Sequence, residues 1–140
     1  MMKLINPFTK DTYKEIELED ISVTRTKIKS AEKAFHSWRE TTFDERAKAL
    51  KNVADHLVIE KDRLADTMTR EMGKPISQAK AEVEKCAWVC NFYADNGAKF
   101  LADKTISTDA TNSYVTYQPY GVILAIMPWN YPLWQVFRFL

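Results

Sequence analysis

The feature that most constrains the fold is a run of five apolar residues near the carboxyl end, Val122-Ile123-Leu124-Ala125-Ile126. It is too short for a helix and shows no alternation, the mark of a strand buried on both faces in a parallel sheet. Such a strand needs neighbouring strands and covering helices. The 14 residues that follow contain LWQVFRFL, itself strongly apolar and a hazard if exposed. On physical grounds the chain reads as an unfinished domain. Pro119-Tyr120-Gly121 before the run is predicted as a type I turn. After it the chain is expected to bend at Met127-Pro128-Trp129-Asn130 and to start a helix at Tyr131-Pro132.

Upstream the periodicity is helical. Residues 4–18 predict a β-hairpin, with Asn6-Pro7 and Lys10-Asp11 as turn formers. Asp20 or Ser22 can cap a first helix whose apolar face is Ile28, Ala31, Phe35 and Trp38. Thr42-Phe43-Asp44-Glu45 is a capping box. It opens one long predicted helix carrying Ala47, Leu50, Ala54, Leu57, Leu64 and Met68 on one side, ended by Gly73. Lys74-Pro75 starts a third, with Pro in its first turn. Ile76, Ala79, Val83, Cys86, Cys90 and Tyr93 form its stripe, with a fray or bend expected near Asn96-Gly97. Residues 105–118, rich in Thr, Tyr and Val, read as one or two strands. The chain is thus α/β, divided at 1–103 (hairpin and helices), 104–118 (strands) and 119–140 (the start of a sheet).

Composition narrows the function. Twenty Lys+Arg against 19 Asp+Glu leave a net charge of +1, so the massed basic residues that bring a protein to nucleic acid or anionic membrane are missing. Glycine occurs only at positions 73, 97 and 121, which excludes a GxGxxG dinucleotide loop and a Walker phosphate loop. Two cysteines one helical turn apart make no disulfide framework. With no apolar stretch of membrane or signal-peptide type, the expectation is a soluble, reduced, cytoplasmic protein. His36 and His56 stand alone on amphipathic helices, so no metal site is predicted.

The concentrated chemistry lies in PYGVILAIMPWNYPLWQVFR. In open α/β sheets ligands bind beyond the carboxyl ends of strands, and residues 127–130 fall there. Pro128 and Pro132 restrict the backbone around Trp129, Asn130 and Tyr131. Taken by chemistry alone, Asn130 suits a helix N-cap and Trp129 an apolar plug.

The same segment resembles the P-x-G-V…I-x-P-W-N-[FY]-P signature of the NAD(P)-dependent aldehyde dehydrogenase superfamily. INPFTKD is similar to that family's opening hairpin, AFHSWRETTFDERAKALKNVADHL to its F-x-x-W…R…L…A…L helices, and EMGKPISQAKAEV to its E-x-G-K-P…A-x-x-E segment. The likeness runs over essentially the whole chain, and PWNYPLWQVFRFL is most similar to the succinate-semialdehyde dehydrogenase branch. The resemblance implies the N-terminal part of that fold: a hairpin, three helices, oligomerisation strands and the first strand of an incomplete Rossmann-like parallel sheet. It implies NAD or NADP as cofactor, with Ile126, Met127, Pro128 and Trp129 along its cleft. Asn130 would give its side-chain amide to the substrate oxyanion, and Arg138 would hold the far carboxylate of a small aldehyde. A homo-oligomer, dimer or tetramer, is implied for the full-length protein.

The family's cysteine nucleophile and glutamate base have no counterpart among these residues. Cys86 and Cys90 match no catalytic motif and are expected in the core; the 140 residues alone are therefore expected to be inactive. The alternative reading is a non-catalytic remnant, or an oligomerisation module that uses the strands around Tyr114 to Gln118.

Overall fold

The computed structural model describes residues 1–140. β1 (Met2–Ile5) and β2 (Thr12–Ile16) form the expected antiparallel hairpin, with Lys3 opposite Glu15 and a register shift between Leu4 and Ile5. Asn6 builds its turn. Its side-chain oxygen accepts from the Phe8 amide at 2.9 Å and the Thr9 amide at 3.3 Å, and Lys10 takes φ 67°. Local side-chain bonds of this kind are why Asn favours turns.

α1 (Ile21–Trp38) is capped by Asp20, whose carboxylate accepts from the Ser22 amide at 2.7 Å. Its predicted apolar face stays unburied: Ile28 and Trp38 are exposed and Phe35 is half-buried. α2 (Phe43–Ile59) opens on the capping box, with Thr42 Oγ1 accepting from the Glu45 amide at 3.2 Å and Glu45 accepting from the Thr42 amide at 2.7 Å. The single helix expected from 42 to 73 is in fact two. Glu60, at φ −87° and ψ 4°, leaves helical geometry and separates α2 from α3 (Lys61–Met72). Neither Gly nor Pro marks the break. It re-aims the chain so that both helices pack on α4.

α3 ends at Gly73, whose φ of 74° is the left-handed C-cap conformation that glycine adopts without cost. A methyl group there would also meet Pro7 Cγ at 3.1 Å, so the hairpin turn rests on this cap. Pro75 stands one place outside α4 (Ile76–Phe100), as its N-cap and not in its first turn; its carbonyl still accepts from Ala79 at 2.9 Å. The break expected at Asn96-Gly97 is absent: α4 runs on to Phe100, with Asn96 Nδ2 donating back to the Phe92 carbonyl at 2.9 Å.

The core lies among α2, α3 and α4: Ala54, Leu57, Ala65, Met68, Ala79, Val83, Cys86, Ala87 and Cys90, with Leu133, Trp134 and Phe137 against its edge. Four of the six stripe residues predicted for α4 are buried there. Ile76 and Tyr93, near the helix ends, are not.

β3 (Lys104–Thr105) and β4 (Tyr114–Val115) make a two-stranded antiparallel ribbon. Beyond it two expectations are corrected. No turn forms at 119–121, where Gly121 takes φ 123°. Val122–Ile126 has strand sequence but no strand partner among these residues, so no ladder forms and the parallel sheet is not assembled. Leu124 is 84% exposed and Ile126 86%. A both-faces-buried strand exists only when something covers both faces. The chain then turns at Trp129–Asn130 and enters α5 (Pro132–Phe137), with Pro in its first turn as predicted.

Candidate active site

The site is built around the entry to α5. That helix has no side-chain cap of its own: Tyr131 occupies the N-cap position without capping. Asn130 is exposed and makes no hydrogen bond, so its reading as the helix cap is overturned. The orphan amides are satisfied from α4 instead. Glu82 Oε1 accepts from the Leu133 amide and the Trp134 amide, both at 3.0 Å. Its other oxygen pairs with Lys74, whose ammonium also lies 3.7 Å from the centre of the Tyr131 ring. Glu82 is 4% exposed and Lys74 6%. A buried charge persists only when paired and hydrogen-bonded, and here both conditions hold.

No local sequence rule joins these two residues. The sequence places Lys74 at the start of a helix and Glu82 in the A-x-x-E element, without pairing the two. Its signal was available: position 82 falls on the apolar stripe of α4, three after Ala79 and four before Cys86, where a carboxylate needs a partner.

Two grooves flank α5. One, about 600 Å³, lies against α3 and the hairpin and is lined by Leu4, Leu64, Met68, Trp129 and Leu133. The other, about 540 Å³, lies against α4 and is lined by Gln78, Glu82, Lys85, Tyr131, Trp134 and Arg138. Lys85 lies 3.8 Å from the Trp134 ring centre. Arg138 closes α5 as its C-cap and forms no ion pair, so its guanidinium is free to take a carboxylate.

The predicted cofactor residues sit in the extended stretch before the turn. Met127 is half-buried; Ile126 and the 77% exposed Trp129 are open. The main chain of 126–129 makes no backbone hydrogen bond. Free N–H and C=O groups in such a stretch have the chemistry to meet the carboxamide of a pyridine nucleotide.

Cys86 and Cys90 are excluded as nucleophiles by position and chemistry. Both are buried in the core. Burial first, then the Glu82 charge, pushes the Cys86 thiol up to about 12, and burial raises Cys90 as well. The thiolate is the reactive form, and neither residue supplies it near neutral pH.

Residues 1–139 match the sequence profile of the aldehyde dehydrogenase family. The chain belongs to that family. It is 48% identical over 135 residues to a probable NADP(+) succinate-semialdehyde dehydrogenase of Synechocystis, covering 96% of this chain and 30% of that protein. It is 40% identical over 134 residues to the NAD(P)+ succinate semialdehyde dehydrogenase Sad of Escherichia coli, covering 96% and 29%. Among solved structures, the succinic semialdehyde dehydrogenase of Streptococcus pyogenes in complex with NADP+ superposes with a TM-score of 0.92. That match has 32% identity and covers 97% of this chain and 30% of that one. The glyceraldehyde-3-phosphate dehydrogenase GapN of Methanocaldococcus jannaschii, complexed with NADP, gives 0.90 at 28% identity, covering 98% and 30%. This family member therefore spans about 30% of the length of the curated relatives it matches.

Proposed function

We propose that these residues form the N-terminal part of an NAD(P)-dependent aldehyde dehydrogenase that oxidises succinate semialdehyde to its dicarboxylic acid. The observation that carries the reading is the PWNYP turn, set at the mouth of α5 between two grooves, in a chain 48% identical to a probable succinate-semialdehyde dehydrogenase.

In this reading attack of a thiolate on the aldehyde places negative charge on the carbonyl oxygen. The Asn130 side-chain NH2 donates to that oxygen, which favours the transition state more than the ground state. The nucleophile comes from outside these residues, as does the base that activates water. Pro128 and Pro132 limit the freedom of the turn, so the carboxamide is ordered at little entropic cost when substrate arrives. NAD or NADP, when bound, would supply the hydride acceptor. Ile126, Met127, Pro128 and Trp129 would hold it with apolar surface and main-chain groups. Arg138, which closes the far end of α5, binds the substrate's far carboxylate with its planar fork. The exposed run Val122–Ile126 becomes a strand of the dinucleotide-binding sheet in the whole protein. The ribbon of β3 and β4 joins subunits of a homo-oligomer. Two unbridged thiols fit a reducing, cytoplasmic setting.

Asn130→Ala in the whole protein tests the reading. Turnover is expected to fall about 100- to 1,000-fold, with the dissociation constant for NAD or NADP unchanged. Undiminished turnover would overturn it.

A further inference from the structure

We infer that the buried Lys74–Glu82 pair is a positioning device for Asn130, holding the turn that bears the carboxamide to the face of α4. The inference rests on the functional reading above and adds residues to it.

The contacts all converge on the residues just after Asn130. Lys74 lies against the ring of Tyr131, and Glu82 accepts from the amides of Leu133 and Trp134. Nothing local does this work, since α5 has no capping side chain and Asn130 makes no hydrogen bond of its own. The anchor is rigid: Glu82 sits on the core stripe of α4 beside Val83, and Lys74 is held between the Gly73 cap and the start of α4. Pairing also settles the charge. An uncompensated carboxylate near the turn would oppose negative charge developing at the oxyanion, and Lys74 cancels it at the source. A tether tied to backbone amides fixes where the turn lies and leaves the Asn130 side chain free to meet substrate.

The test is a double-mutant cycle in the whole protein. Glu82→Ala is expected to lower kcat by roughly 10- to 100-fold, with the aldehyde KM and the cofactor dissociation constant within about twofold. Because the effect passes through Asn130, Glu82→Ala added to Asn130→Ala should lower kcat no further. The paired change Lys74→Met with Glu82→Gln keeps an acceptor for the two amides and removes both charges, so it should recover most of the turnover. Equal losses with and without Asn130, a loss confined to KM, or failure of both variants to fold would overturn the positioning role. If Asn130→Ala is itself harmless, the functional reading fails separately. The tether is then judged by hydrogen exchange at Leu133 and Trp134, which must quicken in Glu82→Ala by clearly more than exchange in α2 does; no excess over α2 overturns it.

Discussion

Residues 42–100 and residues 119–131 are both rich in apolar side chains, yet they use them in opposite ways. In the first region three helices close on one another, and Leu57, Met68, Val83 and Cys86 lose nearly all contact with water. In the second, Val122, Ile123, Leu124 and Ile126 remain open. Helix pairs reach their partners through short connections, so a helical core can be completed by neighbours in sequence. A parallel strand depends on partners reached by long crossovers. The difference shows that apolar content alone does not decide burial; a partner within reach does.

Four measurements can break or sharpen that contrast. The largest effect is expected at the point where the two regions are joined. Glu82→Ala strands the Lys74 charge and two amides, and should destabilise the fold by about 3–5 kcal/mol in denaturant titration. Next, Leu57→Ala leaves a cavity in the helical core and should cost about 2–5 kcal/mol. Gly73→Ala meets both a left-handed φ and Pro7, and should cost about 1–2 kcal/mol. The smallest effect belongs to the open stretch: Leu124→Ser in a chain of these 140 residues should change stability by less than about 0.5 kcal/mol. A loss at Leu124 matching that at Leu57 would mean the stretch is packed in solution, and the contrast would be lost.

The cysteines sharpen the same boundary through pH. Cys86 has its folded value raised from 9.0 to about 12. The advantage of the folded state for the neutral thiol is therefore complete below pH 9 and is lost as pH rises from 9 towards 12. Near neutral pH an alkylating reagent should leave Cys86 and Cys90 untouched until denaturant is added. Modification of the folded chain at pH 7 would place them outside the core.

The parts legible in the sequence were those set by local chemistry. The hairpin turn, the Thr42–Glu45 box, the Gly73 cap, the α4 stripe and the Pro132 helix start all rest on residues within a few positions of one another. The parts that escaped depend on distant partners. The break at Glu60 carries no turn former and follows from how α2 and α3 meet α4. Val122–Ile126 has the composition of a strand but not its ladder. At the candidate site, the position of Asn130 beside α5 was legible from the Pro residues around it. The carboxylate that caps α5 lies some fifty residues upstream, beyond any local rule, although its place on an apolar stripe marked it as needing company.

Glu82 accepts from amides 51 and 52 residues further along the chain. During synthesis the receptor is therefore made before its guest: α4 can fold and present a waiting carboxylate while the Pro128–Pro132 segment is still inside the ribosome. The turn that carries Asn130 then docks onto a finished template as it emerges.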